Sequence, residues 1–472
     1  MPKNPTPRFK ADEKEALAAA ERLVPPGHLA REVARLVSRV DVSAAEARSS
    51  ALGQNGYGPR RLLGVWVYAS LIGLHHGTKV HERMKTDAAL RLLAGGHLVS
   101  RASLNAFRAA QGALFQAALE QTVRWGFEQG LVDAQALAVD SVRLRAHAAQ
   151  GQVRVQSTSQ RRLEELARVD VCALSAQQQA RHEDLVQKHT AAVRECHRRN
   201  ARSVVLTSPS AGYMQVPGDI WLPGHRATVV AAGASERLVV GVLVNAAGSD
   251  QGQLGPALEE ARRVLLAAGV PGHLRLQAAA DSGYWCAQDL AFCVQNAGWV
   301  QVLVKAMGEK GPLANHPELF QRQDFPLHPD ERRVVCPAGR PMRGSAKAQA
   351  DGTWRYAGEG CDDCPLRPRC TEGRQRTMYV DWDFERGKQA MLQRLAQPDA
   401  PVRYNQRMAT VEPVFSSVED GMGYRRVSSR HPPTVLAEVV LKLLAHNVSR
   451  LLARSRLFCV FALLEGPAPL HA

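Results

Sequence analysis

From Glu13 to Ala109, apolar residues recur at three- and four-residue intervals, as in "RRLLGVWVYASLIGLHHG" and "DAALRLLAGGHL", with glycine at the breaks. That spacing puts an apolar stripe on each of several short helices. The segment "SRASLNAFRAAQGALFQAALEQTVRW" continues them, with Ser100 or Ser103 expected as N-cap. At "QALAVDSVRLRA" the pattern turns β-like. Charge dominates from Ser159 to Arg202, as in an exposed helical pair. "TSPSAGYMQVPGDIWLPGHR" is rich in Pro, Gly and Ser and is expected to be loop. "ATVVAA" and "RLVVGVLVNA" flank "GASE" as the strands of a hairpin. A helix ("QLGPALEEARRVLLAAG"), a strand ("HLRLQAAAD"), a helix ("CAQDLAFCVQNAG") and a strand ("WVQVLVKA") follow.

This order predicts a mixed sheet with packed helices, in the α/β class. Residues 307–400 interrupt it with a Pro-, Gly- and Cys-rich insertion. Helical pattern returns at Glu412 and ends in the amphipathic "TVLAEVVLKLLAHNVSRLLARSRL", whose Asn447 and Arg450 are expected to be a satisfied polar edge. The expected organisation is a helical domain over 1–130, a sheet domain over 131–306 and 401–460 with an exposed helical insertion at about 155–205, and the Cys-rich insertion over 307–400.

Composition adds a partner. With 472 residues, 45% of them hydrophobic, the chain is globular and long enough for more than one domain. Sixty Lys and Arg against 45 acids leave +15, a surplus that points to a polyanion, nucleic acid first, although a solvated basic surface would read the same way. The opening "MPKNPTPRFKADEKEA" has no apolar h-region, and no run approaches about 18 apolar residues, so neither a signal peptide nor a membrane span is expected. Nine cysteines, an odd count with Cys172, Cys196 and Cys459 standing alone, do not suggest a disulfide framework. A reducing cytoplasm is expected.

Three acids stand out. Asp140 ends an apolar run and is followed by Arg143 and Arg145. Asp281 closes a predicted strand before a Ser-Gly turn, where ligand sites of open α/β sheets gather and where Asp also serves as an ordinary cap. Glu412 precedes Pro413 among Arg403, Arg407, Arg425, Arg426 and Arg430. Pro413 fits only a first turn or a kink, so Tyr404, Arg407 and Glu412 are not assumed to share one helix face. Three carboxylates converging at a sheet edge and a helix suit a pair of hard divalent cations about 4 Å apart, for phosphoryl transfer. Separately, Cys336, Cys361, Cys364 and Cys370 contain one CxxC pair, compatible with a Cys₄ zinc site or with free thiols. Through Arg367 and Arg369 the same element could also touch DNA. Cys286 and Cys293 are expected on one core face of a helix. Tyr284 and Trp285 either stack on an unpaired base or pack.

Here the chain resembles the DDE transposases of bacterial insertion sequences, in the branch with an N-terminal helical domain and a Cys-rich insertion before the catalytic Glu. "AVDSVRLRAHA" resembles the family's first-Asp motif, "ADSGYWCAQDL" its second, and "YNQRMATVEPVF" its Tyr, Arg and Glu signature. "VNAAGSDQGQL" resembles its sheet-to-helix connection, and residues from "NGYGPRRLLG" to "SRASLNAFR" its N-terminal helical domain. The resemblance implies a ribonuclease-H-like mixed sheet with helices on both faces. It implies Asp140, Asp281 and Glu412 as catalytic ligands of Mg²⁺ or Mn²⁺, and phosphate contacts by Tyr404, Arg407, Arg143, Arg425 and Arg426. A zinc knuckle in the insertion, double-stranded DNA as partner, a homo-oligomer on that DNA and a nucleoid location also follow from it. The chain departs from the family at Glu419, where a Lys commonly follows the Glu by seven residues, at Ser141 for a Gly, at His147 for an Asn, and at "PGHRATVV" for an Asn-containing motif. A DNA-binding relic and a plain metal-dependent nuclease stay open beside the transposase.

Overall fold

The computed structural model of the chain describes residues 11–51, 57–216, 220–233, 236–307, 316 and 318–464. The polar opening "MPKNPTPRFK", Ala234 and Ser235 of the hairpin turn, and the side chain of Cys459 lie outside the described residues.

Helices come first: α1 (Ala11–Leu23), α2 (Leu29–Ser38), α3 (Ser43–Ala51), α4 (Pro59–Leu71), α5 (Gly77–Met84), α6 (Ala88–Leu93), α7 (Arg101–Ala110) and α8 (Gly112–Glu128). Side chains close several of the starts. Asp87 accepts from the amides of Ala89 and Leu90, and of the two serines considered it is Ser100 that caps α7, through the Ser103 amide. Strand β1 (Leu137–Arg145) and β2 (Val153–Val155) follow, then the charged pair α9 (Gln156–Ala167) and α10 (Ala176–Arg199). Next are β3 (Ser203–Val205), β4 (Gly212–Val216), β5 (Ile220–Ala232), β6 (Leu238–Asn245), α11 (Leu254–Ala268), β7 (Leu276–Ala280), α12 (Ala287–Gln295) and β8 (Val300–Val304). The insertion holds β9 (Leu327–His328), β10 (Arg333–Val334), β11 (Arg343–Gly344), β12 (Trp354–Ala357), β13 (Thr377–Val380) and α13 (Trp382–Leu395). Last come α14 (Ala400–Ser416) and α15 (Pro432–Leu464).

The chain divides into two compact units, residues 1–249, 257–272 and 408–472, and residues 250–256 and 273–407. In the first unit β5 runs antiparallel to β1, β4 and β6. The stretch 207–226, expected as loop, instead supplies β4 and the first half of β5. Pro223 and Gly224 are poor strand formers, but pairing decides: Pro223 lies opposite Tyr213, and its carbonyl accepts from the Ala146 amide at 2.9 Å. Helix α15 packs on α8, α4 and β6 in one large core that includes Trp66, Phe115, Leu119, Leu238, Tyr424 and Leu441. Asn447, expected at a polar edge, is buried and satisfied. Its side chain donates to Thr122 Oγ1 and the Val239 carbonyl and accepts from the Val239 amide.

In the second unit β7 and β8 pair in parallel through α12. Gly387 of α13 comes so close to α12 that a Cβ there would stand 2.8 Å from that of Leu290. The insertion builds a small sheet, β11–β12–β13, over Phe325, Val334, Met342, Tyr356, Met378, Val380 and Trp382. Trp382 Nε1 donates to the Tyr356 hydroxyl at 3.0 Å, and that hydroxyl donates to the Arg332 carbonyl at 2.6 Å. With strands paired both antiparallel and parallel and helices between them, the chain is of the expected α/β class.

Candidate active site

Asp140 is a half-buried residue of β1 directly opposite Val229 of β5, and its Oδ1 accepts from the Ser141 amide at 2.7 Å. Alternation puts Val142 and Leu144 on the same face of the strand. These two, with Ala227 and Val229, line a small cavity whose opposite wall is Phe415, Val418, Glu419, Tyr424, Val439, Lys442 and Leu443. Phe415 stands three residues after Glu412 on α14, so Glu412 shares that helix side. The helix carrying Glu412 therefore runs against the strand face that carries Asp140.

Helix α14 passes through Pro413 without ending, so Tyr404, Arg407 and Glu412 do lie on one helix, contrary to what the proline suggested. They do not share an environment: Glu412 is exposed, whereas Arg407 is buried with its guanidinium 6.0 Å from the Tyr404 ring centroid. Tyr404 packs beside Ala279, Leu303 and Ala400. Glu419 sits in a wide π turn, Ser417–Gly421, closed by the Met422 amide on the Ser417 carbonyl at 3.0 Å. There it lines the Asp140-face cavity; burial raises its carboxyl, with Arg425 opposing and Asp420 adding to the shift.

Next to Asp140 the end of β1 is extended by a basic segment. The Arg145 amide donates to the Arg425 carbonyl at 3.1 Å and the Val427 amide to the Arg145 carbonyl at 2.8 Å. Arg426 Nε donates to the Ala146 carbonyl at 3.3 Å and Arg430 Nε to that of His147 at 3.1 Å. Arg143, Arg145, Arg425, Arg426 and Arg430 are all exposed, and Arg425 is ion-paired with Asp420. The residue that organises this segment is Glu438 of α15, fully buried. It accepts hydrogen bonds from the Tyr424 hydroxyl and from both the amides and the hydroxyls of Ser428 and Ser429. Burial would raise its carboxyl, but Arg108 at 3.9 Å, these donors and Lys442 hold it below the usual glutamate range. Buried Lys442 donates to Ser70 Oγ at 2.8 Å, and burial lowers its ammonium to about 7. Sequence reasoning passed over this pair. The signal was there: two opposite charges four residues apart inside the apolar run "VLAEVVLKLLA".

In the second unit Asp281 stands at the carboxyl end of β7 and accepts from the Gly283 amide at 2.8 Å. A second carboxylate faces the same glycine. A Cβ on Gly283 would stand 3.0 Å from both Asp281 Oδ1 and Asp250 Oδ2, so the two carboxylates both close on the glycine. Asp250, inside the "GSDQG" turn, was not singled out from sequence. Tyr284 and Trp285 are buried, so they pack rather than offer a stacking platform. Cys293 is core, as expected, but Cys286 is at the start of α12 and donates to Asp289 Oδ2 at 3.2 Å. Asp289 also accepts from the Gly252 and Leu254 amides, at 2.7 and 3.2 Å.

Cys336, Cys361, Cys364 and Cys370 line a single cavity in the insertion. Two tight turns aim them. The Gly339 amide donates to the Cys336 carbonyl at 2.8 Å, with Gly339 at φ 77°, and the Cys364 amide donates to the Cys361 carbonyl at 3.3 Å. Burial pushes the Cys370 thiol up, and the other three cysteines push it further while Arg376 opposes. Arg369 lies over the Phe320 ring at 4.9 Å and Arg367 pairs with Asp362 at 3.3 Å, so both have protein partners.

Among the described residues no group of three or more His, Cys, Asp or Glu is spaced to hold a metal ion as it stands. The donor chemistry is nevertheless of the right kinds. Asp140 and Glu412 of the first unit and Asp250 and Asp281 of the second are hard oxygen donors suited to Mg²⁺. Four thiols about one cavity suit Zn²⁺.

Comparison with known families gives two matches. Residues 335–452 match the family described as Transposase DDE domain, and residues 18–110 match the Transposase domain (DUF772). Glu412, Tyr404, Arg407, Arg425, Arg426 and the four cysteines fall within the first match; Asp140 and Asp281 fall outside both. No curated protein matches the chain.

Proposed function

We propose that this chain, which belongs to the DDE transposases of insertion sequences, binds the terminal inverted repeats of its element, cleaves there and joins the freed 3′-hydroxyls to target DNA. The observation that carries the reading is the approach of the Glu412 helix to the strand face of Asp140, beside exposed arginines. Asp140, Asp281 and Glu412 would hold Mg²⁺ or Mn²⁺, which supplies activation of the attacking oxygen and charge stabilisation at the leaving one. Arg143, Arg425 and Arg426 would meet DNA phosphates, with Tyr404 and Arg407 contributing from the same helix as Glu412. The 1–130 region would bind DNA or bring copies together, and 131–306 with 401–460 would carry the chemistry. The insertion over 307–400 would be braced by zinc on its four cysteines. The enzyme would work as a homo-oligomer on double-stranded DNA, in the cytoplasm at the nucleoid. Among the described residues no helix is long and apolar enough to cross a membrane.

The test uses a labelled duplex carrying the terminal repeat, with Mg²⁺, with EDTA, and with Asp281→Ala. Cleaved and joined products that need metal and vanish in the variant, a loss of roughly 10³-fold or more, support the reading. Cleavage without joining would make the protein a nuclease. Salt-sensitive binding with no product under any metal would make it a relic, the reading that Glu419 at the usual Lys position favours.

A further inference from the structure

Pro413 follows Glu412 directly and lies inside α14. A proline there has no N–H for the carbonyl four residues back, and its ring presses that carbonyl outward. The carbonyl in question belongs to Ala409, and Arg237 Nε donates to it at 2.8 Å. Arg237 comes from the turn between β5 and β6, where it holds φ at 56°, a left-handed conformation that costs a non-glycine residue energy. Two further bonds hold that turn in place. Buried His446 of α15 has Nε2 2.9 Å from the Arg237 carbonyl, and Arg450 Nε donates to the Glu236 carbonyl at 3.1 Å. The other ring nitrogen of His446 lies 3.0 Å from Ser417 Oγ, where α14 passes into the π turn. One histidine thus ties the Arg237 turn and the end of the Glu412 helix together, and Arg237 and Ser417 take hold on either side of the proline.

We infer that Arg237 is a positioning residue for Glu412: it takes the carbonyl that Pro413 leaves without its helical donor, and with His446 behind it holds the proline-containing helix segment on which Glu412 stands. The inference rests on the catalytic reading of Glu412 for its consequence, but not for its geometry. A helix broken by proline and without a fixed partner swings over a range of angles, and a displacement of about 1 Å at a reacting group costs on the order of 100-fold in rate. Arg237 is half-buried at a turn, so replacing it leaves the core intact.

The experiment is a double-mutant cycle of Arg237→Met and Pro413→Ala in the full chain, with Arg237→Lys as the conservative variant. Restoring an amide at position 413 gives Ala409 a helical partner and removes the need for Arg237. Hydrogen exchange over residues 405–420 is expected to quicken several-fold in Arg237→Met, to return towards wild type in Arg237→Lys, and to change little when Arg237→Met is added to Pro413→Ala. Strand transfer is expected to follow the same cycle, with kcat lowered roughly 10- to 100-fold in the single variant, KM for DNA held, and no further loss in the double variant. Equal effects of Arg237→Met in both backgrounds would overturn the inference. If the wild-type chain makes no product, the catalytic reading fails by itself, and hydrogen exchange still decides whether Arg237 holds the segment.

Discussion

Two segments rich in arginine are held in place by opposite means. The basic segment 424–430 is fastened by one buried carboxylate whose donors are all supplied by the protein. The cysteine segment of the insertion is arranged about a cavity lined by four thiols and backed by a small core, with seven buried side chains among the described residues. The first is complete without a ligand, because Glu438 meets Arg108, Tyr424 and two serines inside a large apolar core. Its backbone is held by the protein's own groups alone. The second has four thiols about one cavity and, among the described residues, no comparable buried ion pair at its centre. A small core yields little stability by itself, which is where structural metals are used.

The largest expected effect tests the second segment. If zinc completes it, chelation or Cys361→Ser should unfold the insertion, seen as loss of bound zinc by mass spectrometry and rapid proteolysis within 336–380, since metal binding and folding are then one event. The stability of the first unit should hardly move; a chain purified without zinc yet proteolytically resistant there would erase the contrast. Next is Glu438→Ala, which leaves Arg108 buried without its carboxylate and five donors without an acceptor. A loss of about 3–5 kcal/mol is expected in urea unfolding. Phosphate contacts should fall with it, flattening the salt dependence of DNA binding, whereas Cys361→Ser should leave that slope unchanged.

The smallest effect is a pH dependence at Lys442, which packs against Tyr424 of the first segment. Lys442 has its ammonium lowered from 10.5 to about 7 by burial. Between those values the unfolded chain holds a proton that the folded chain lacks, so stability should rise with pH from about 7 upward. The penalty of the buried charge is fully present below that. Over pH 7 to 8 the gain should be about 1 kcal/mol. Urea unfolding at several pH values checks it, and Lys442→Met should flatten the rise.

What was legible follows from how each feature is encoded. The helices of the first 130 residues, β1, the β5–β6 hairpin and the β7–α12–β8 alternation carry strong periodicity and were foreseen. Asp140 and Asp281 stand at changes of pattern, and Glu412 among arginines. What failed was reasoning from local breakers. Pro223 and Gly224 sit within a strand because neighbours pair with it, and Pro413 sits within a helix because Arg237, 176 positions earlier, supplies the missing bond. Cys286 was placed in a core by helical spacing, yet it lies one residue ahead of the first turn and serves Asp289.

By itself, the sequence determined the α/β class, the order of the strongly periodic elements, the basic surplus and the acids and thiols suited to metals, because each depends on residue type and on spacing along one strand or helix. Only the tertiary structure decided which charges are buried and satisfied. It paired Glu438 with Arg108 and two serines, turned Glu419 into a cavity wall, set Asp250 beside Asp281 and gave Ala409 its donor. The physical reason is that a hydrogen bond or ion pair depends on distance in space. Periodicity reports which face of an element is buried, and is silent on what lies opposite.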